Sequence, residues 1–145
     1  MARIETSISE RPLDVAGTIE STMTPGAGGL GIFVGTVRLT AAVEDNSDKI
    51  VTALDYEAHP ELAEARMREI AEETVGRYGL LAISAHHRCG YCPLGEPTVV
   101  VVCAAAHRAE ALEACRFAID TIKSTVPIWK KEVYSDGSAW VGTGS

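Results

Sequence analysis

Residues Thr98 to Ala105 read TVVVVCAA, and from Val99 to Val102 no polar side chain interrupts the run. A strand with one wet face would alternate, so this segment has to be covered on both faces. Its β-branched side chains favour the pleated conformation, and it falls well short of the roughly 20 apolar residues that span a bilayer. Any fold open to the chain therefore holds this strand between two layers. With 145 residues, 46% of them hydrophobic, there is enough material to close one core around it.

The best-marked covering element begins at Pro60, which suits the first position of a helix because its missing N–H would be unpaired there anyway. Leu62, Met67, Ile70, Ala71, Thr74, Val75 and Tyr78 then share one face, and Gly79 is placed to end the helix. A second helix, about Ala109 to Thr125, buries Ala111, Leu112, Cys115, Ala118, Ile119 and Ile122, and Pro127 prevents it from running on. Arg3 to Ser7 reads as an edge strand and Leu13 to Met23 as a short helix. Leu30 to Arg38, Ile50 to Ala58 and Leu80 to Arg88 read as further strands. Gly90, Pro93 and Gly95 mark a tight connection into the Thr98 strand, and Ser135-Asp136-Gly137-Ser138 reads as a hairpin turn between Trp129–Tyr134 and Ala139–Val141. From Leu39 to Lys49 the sequence turns acidic and loses its period, which predicts a mobile surface loop. No repeat or linker divides the chain, so strands and helices interleave in one α+β domain over residues 1–145.

With 13 Lys plus Arg against 20 Asp plus Glu, the net charge is -7. No global field draws such a chain to nucleic acid or an anionic membrane, so an anion site has to be a local cluster. No run is long enough for a membrane span, and Met1 to Glu10 lacks the basic and apolar blocks of a signal peptide; the expected compartment is the cytoplasm. Four cysteines in a chain of this length point to reduced thiols rather than a disulfide scaffold.

Three of the four lysines, Lys123, Lys130 and Lys131, fall within nine residues around Val126-Pro127-Ile128-Trp129. Together with Arg38 at a strand end and His107-Arg108 before the second helix, they gather positive charge at element ends. One reading is a phosphate or carboxylate site. A plainer alternative pairs Lys123 with Asp120 on the helix surface and leaves Lys130 and Lys131 as solvated strand residues. A lysine among apolar neighbours is also a candidate amine that attacks or moves protons near neutral pH, and Lys130, after Trp129, fits that description. Lys131 points to the other face of the strand. At a helix C-terminus Lys123 gains a dipole interaction that keeps it charged and suited to holding an anion.

Cys89-Gly90-Tyr91-Cys92 has the spacing of a thiol–disulfide exchange motif, but Pro93, Gly95 and Pro97 follow it where such a motif needs a helix N-terminus to lower the thiol pKa. A zinc site from His86, His87, Cys89 and Cys92 is disfavoured because adjacent histidines in a strand face apart, so no metal is expected. Cys103 and Cys115 read as small core residues. Gly26, Gly28, Gly29, Gly31 and Gly35 match no phosphate-loop spacing and instead permit close backbone approach. Trp129 and Trp140 read as partly buried anchors.

The ordered segments Gly35-Thr36-Val37-Arg38, Leu54-Asp55-Tyr56-Glu57, His87-Arg88-Cys89-Gly90, Gly95-Glu96, Ala106-His107-Arg108 and Lys123 to Glu132 (KSTVPIWKKE) together resemble the MoaE family, the catalytic, large subunit of molybdopterin synthase. The resemblance runs from about Gly29 to Val141. It implies an α/β-hammerhead fold, a mixed β-sheet with two main helices packed on it, and a homodimer carrying one small subunit at each distal end, a heterotetramer. The implied activity is sulfur transfer: a small ubiquitin-like subunit carries a C-terminal thiocarboxylate, its Gly-Gly tail enters a pocket of the large subunit, and two sulfurs pass to cyclic pyranopterin monophosphate to form the dithiolene of molybdopterin. Neither a metal nor an organic cofactor is implied. By the same resemblance Lys123 is the principal catalytic lysine and Lys130 the second, while Arg38, His107 and Arg108 bind the substrate and its phosphate. Thr36, Val37, Lys131 and Glu132 complete the pocket segment, with Thr36 standing where many members have lysine. Some pocket residues come from the other protomer. Two competing readings are a noncatalytic module that binds the Gly-Gly tail of a ubiquitin-like partner, and a thiol–disulfide enzyme using Cys89 and Cys92.

Overall fold

A computed structural model describes residues 1–41 and 48–143; residues 42–47, most of the segment expected to form the acidic loop, lie outside them. Strand β6 (Pro97–Ala105) is the covered strand that the apolar run requires, with each residue from Val99 to Ala105 at most 1% exposed. It pairs antiparallel with β4 (Ala82–Arg88) on one side and β2 (Gly29–Thr36) on the other. Strand β1 (Arg3–Ser9) joins β4 in parallel at the edge, giving a mixed sheet of order β1-β4-β6-β2.

Helices α2 (Pro60–Tyr78) and α3 (Arg108–Thr125) cover the face that carries Val99, Val101, Cys103 and Ala105. The short helix α1 (Val15–Thr22) covers the other, where Thr22 Oγ1 and Ser84 Oγ lie 2.8 Å apart beside Val102, the residue paired with Ser84. Local signals fix the helix ends. The His59 ring accepts from the Leu62 N–H at 3.4 Å, and Gly79 takes the left-handed conformation (φ 64) while its N–H bonds to the Val75 carbonyl.

The expected faces need two corrections, since Leu62 is 58% and Leu112 59% exposed. Ala63 and Ala114 take those core places. On α3 the contact with β2 is close: a Cβ added at Gly31 would stand 2.0 Å from the Ala111 carbonyl oxygen.

Beside the mixed sheet stands a second, fully antiparallel one, of order β5-β3-β7-β8, built from β3 (Val51–Ala58), β5 (Gly90–Pro93), β7 (Ile128–Tyr134) and β8 (Ala139–Thr143). The α+β class holds, with three helices and two sheets among the described residues. Strand β5 lies in the stretch expected to be only a tight connection. Four residues bounded by glycine and proline carry too little pattern to read as a strand, and pairing with β3 is what extends them. Among the described residues no helix is long and apolar enough to cross a membrane.

Candidate active site

The register of β3 against β7 builds one wall of a cavity. Tyr56 lies opposite Lys130 and Leu54 opposite Glu132, so alternation sends all four side chains to one face. The other walls come from Phe33 to Thr36 at the end of β2, Arg38 just beyond it, Thr98 at the start of β6, and Lys123 in the last turn of α3. Together they enclose about 430 Å³. Thus five of the residues expected at the site, Thr36, Arg38, Lys123, Lys130 and Glu132, converge from three separate stretches of the chain. A larger hollow of about 510 Å³, lined by residues between Met23 and Leu30, contains no titratable side chain and offers no comparable chemistry.

Three cations and one carboxylate share the charged cavity. Burial lowers the Lys123 pKa, and the charges of Lys130 and Arg38 push it further the same way. Burial and the like-signed neighbours act against the helix dipole, which favours the charged form of Lys123. Asp120 pairs with Arg116 at 3.2 Å, one helical turn away. Glu132 is 3% exposed and accepts a hydrogen bond from the Tyr134 hydroxyl at 2.8 Å.

Tyr56 is a lining residue that the reading of the sequence quoted but gave no role. Burial pushes its phenol up to about 12, against the lowering effect of a hydrogen bond with Thr98, so it stays a neutral hydroxyl. The signal available beforehand was its position two residues from Leu54 in a strand, which puts both on the face that meets Lys130 and Glu132.

Other expected residues lie elsewhere in the protomer. Val37, 3% exposed, turns into the core because it alternates with the cavity residues Thr36 and Arg38. Lys131 points to the opposite face of β7, into a smaller depression with Asp55, Glu57, Trp129 and Val141 that adjoins the main cavity through Lys130. His107 caps the N-terminal end of α3 and Arg108 begins it, both exposed. With 1.5 Å rise per residue, Arg108 is roughly 22 Å from Lys123 along the helix. One protomer does not bring them together.

The cysteine pattern does not form a redox site. Cys89 and Cys92 lie at and within the strand segment β5 rather than at a helix N-terminus, and burial raises the Cys92 thiol, the reverse of an activated nucleophile. His86 and His87 face apart as expected: His86 meets Ser7 Oγ at 2.6 Å, whereas His87 is fully buried against Tyr56.

Comparison with known proteins adds independent information. The MoaE protein family model matches residues 8–125. Over 128 residues the chain is 40% identical to the molybdopterin synthase catalytic subunit of Oryza sativa, covering 88% of this chain and 64% of that protein, so it spans somewhat less than two thirds of the rice relative. The molybdopterin synthase catalytic subunit of Halalkalibacterium halodurans is 38% identical over 136 residues, covering 94% and 84% of the two chains. Among solved structures, that of molybdopterin synthase from Staphylococcus aureus superposes with a TM-score of 0.82 at 29% identity, covering 98% of each chain.

Proposed function

The chain belongs to the MoaE family, and from that premise we propose that it is the catalytic subunit of a molybdopterin synthase, passing sulfur from the thiocarboxylated tail of a small ubiquitin-like partner to cyclic pyranopterin monophosphate in the cytoplasm. The observation that carries the proposal is the convergence of Lys123, Lys130 and Arg38 on one cavity in a chain of net charge -7. Both reactants are anionic, one through its phosphate and one through its thiocarboxylate, and each needs local positive charge that the rest of the surface does not offer.

Each transfer forms a carbon–sulfur bond to the pterin in place of a pterin carbon–oxygen bond, whose oxygen leaves as water or stays with the phosphate, and breaks the acyl carbon–sulfur bond of the tail. Water supplies the oxygen that leaves the tail as a carboxylate, and the sulfur remains on the pterin. Negative charge develops on the acyl oxygen during that cleavage, where a fixed ammonium stabilises it. Lys123 is the principal catalytic group in this reading: its lowered pKa gives it a larger neutral fraction than an ordinary lysine, so it can also move a proton or attack the acyl carbon. Lys130 assists, Arg38 and Thr36 hold the phosphate end, and the buried Glu132 fixes the cationic wall. The depression lined by Trp129, Lys131 and Val141 adjoins the cavity and suits entry of the partner's extended tail. Val37 supports this wall from the core side.

His107 and Arg108 fit the reading in a homodimer. They stand exposed at the end of α3 far from their own cavity, so a second protomer can present them to it, giving a heterotetramer once two small subunits bind. The test mixes the protein with thiocarboxylated small subunit and cyclic pyranopterin monophosphate and follows dithiolene formation. Wild type forms product, and Lys123→Ala loses on the order of a hundredfold in rate while still binding the partner. Partner binding by wild type without any product would replace this reading with the noncatalytic tail-binding module.

A further inference from the structure

His87 lies on β4, 0% exposed, and no part of the mechanism above uses it. Its strand partner on β6 is Val99, next to the cavity residue Thr98, and its ring meets the Tyr56 ring edge to face, with centroids 5.0 Å apart and planes at 87°. The imidazole is therefore packed directly behind the cavity wall. Its Nδ1 is 2.6 Å from the Arg88 carbonyl oxygen, and because a carbonyl only accepts, Nδ1 carries the proton. That tautomer leaves Nε2 with a lone pair, which is buried and meets no protein donor among the described residues.

A buried acceptor left unpaired is costly, and an apolar ring of similar size would fill the same space without that cost. The neighbouring donors narrow what can satisfy it. The Tyr56 hydroxyl is engaged with Thr98, and the Arg88 guanidinium spends Nη1 on Glu96 at 3.0 Å and Nη2 on the Tyr91 carbonyl at 2.7 Å, while its Nε, which meets no partner among the described residues, belongs to a side chain that strand alternation sends to the other face of β4. On the side of α3 the charged group is Lys123, whose ammonium has three hydrogens to donate. We propose that His87 is a positioning residue for Lys123: its Nε2 lone pair accepts, through one buried water, a hydrogen bond that originates at the Lys123 ammonium and fixes where that group points in the cavity. The charge of Lys123 is close enough to act on His87, and with burial it holds the imidazole pKa down to about 4, so His87 is neutral and able to accept at neutral pH. Around Lys123 the other charged groups are Lys130 and Glu132 on β7 and Arg38 after β2; around His87 they are Tyr56, Arg88 and Lys123.

The catalytic consequence rests on the sulfur-transfer reading, so the test pairs turnover with measurements that need none. In 15N-histidine-labelled wild type, the His87 Nε2 resonance is expected at the position of a hydrogen-bonded, unprotonated nitrogen; a free lone-pair position overturns the proposal whether or not any variant folds. In 15N-lysine-labelled protein, with Lys123 assigned by its absence in Lys123→Ala, His87→Phe is expected to lower the Lys123 titration midpoint by about half a unit or more, because an acceptor for the ammonium is gone. His87→Gln, which restores an acceptor near the Nε2 position, returns the midpoint toward wild type. In the sulfuration assay, His87→Phe is expected to reduce kcat by about tenfold with KM within about twofold, and His87→Gln to recover most of it. An unchanged Lys123 midpoint and kcat in a folded His87→Phe protein makes His87 a packing residue only. A shifted midpoint in a protein that never forms dithiolene keeps this inference and removes the sulfur-transfer reading.

Discussion

The two ends of helix α3 each carry cations, and they meet different surroundings. At the N-terminal end His107 and Arg108 stand exposed, without a side-chain cap hydrogen bond from His107, and the Arg108 charge sits at the positive end of the helix dipole, where it is least favoured. At the C-terminal end Lys123 meets the ends of β2 and β6 and the paired faces of β3 and β7, which bring Arg38, Lys130, Glu132 and Tyr56 around it. Charge alone is equally visible at both ends of the helix. What makes one end a cavity is that strands of both sheets finish beside it.

The sharpest way to break that contrast is complementation. Lys123→Ala and Arg108→Ala homodimers are each expected to lose most dithiolene formation. If Arg108 serves the neighbouring protomer's cavity, mixed and re-equilibrated protomers recover about a quarter of wild-type activity, since half the dimers are hybrids with one intact site of two. No recovery in a verified hybrid population would mean that Arg108 does not serve the neighbouring protomer's cavity.

Acid stability tests the C-terminal end, because His87 lies behind that cavity. The unfolded chain protonates His87 below its ordinary 6.5, while the folded state stays neutral until about 4. The unfolded state thus binds more protons across that window, and stability falls as pH drops through it, by about 3 kcal/mol in total. Urea unfolding at pH 7 and near pH 4 is expected to show this loss in wild type and most of it absent in His87→Gln.

A smaller effect probes what the two ends share. Gly31→Ala places a methyl group against the Ala111 carbonyl oxygen in the middle of the α3–β2 contact. The expected cost is about 1–3 kcal/mol of stability, read as a lowered thermal midpoint, and displacement of α3 is expected to reduce sulfuration through both ends at once. An unchanged midpoint would mean that the helix can lift from the sheet without consequence.

Much of this molecule was determined by short stretches of sequence. The unalternating Val99–Val102 run demanded layers on both sides, Pro60 and Gly79 bounded one helix, Pro127 stopped the next, and the clustering of lysines around Trp129 in an acidic chain marked where an anion could bind. These features depend on residues within a few positions of one another, so one segment is enough to express them. Tertiary structure decided the rest. It extended Gly90–Pro93 into a strand of a second sheet, left Leu62 and Leu112 exposed while burying Ala63 and Ala114, and turned Val37 inward and Lys131 to the far face. It also brought Tyr56 into the cavity and lowered the pKa of Lys123. Burial and charge proximity arise from groups far apart in the chain, so they exist only once both sheets have closed around the end of α3.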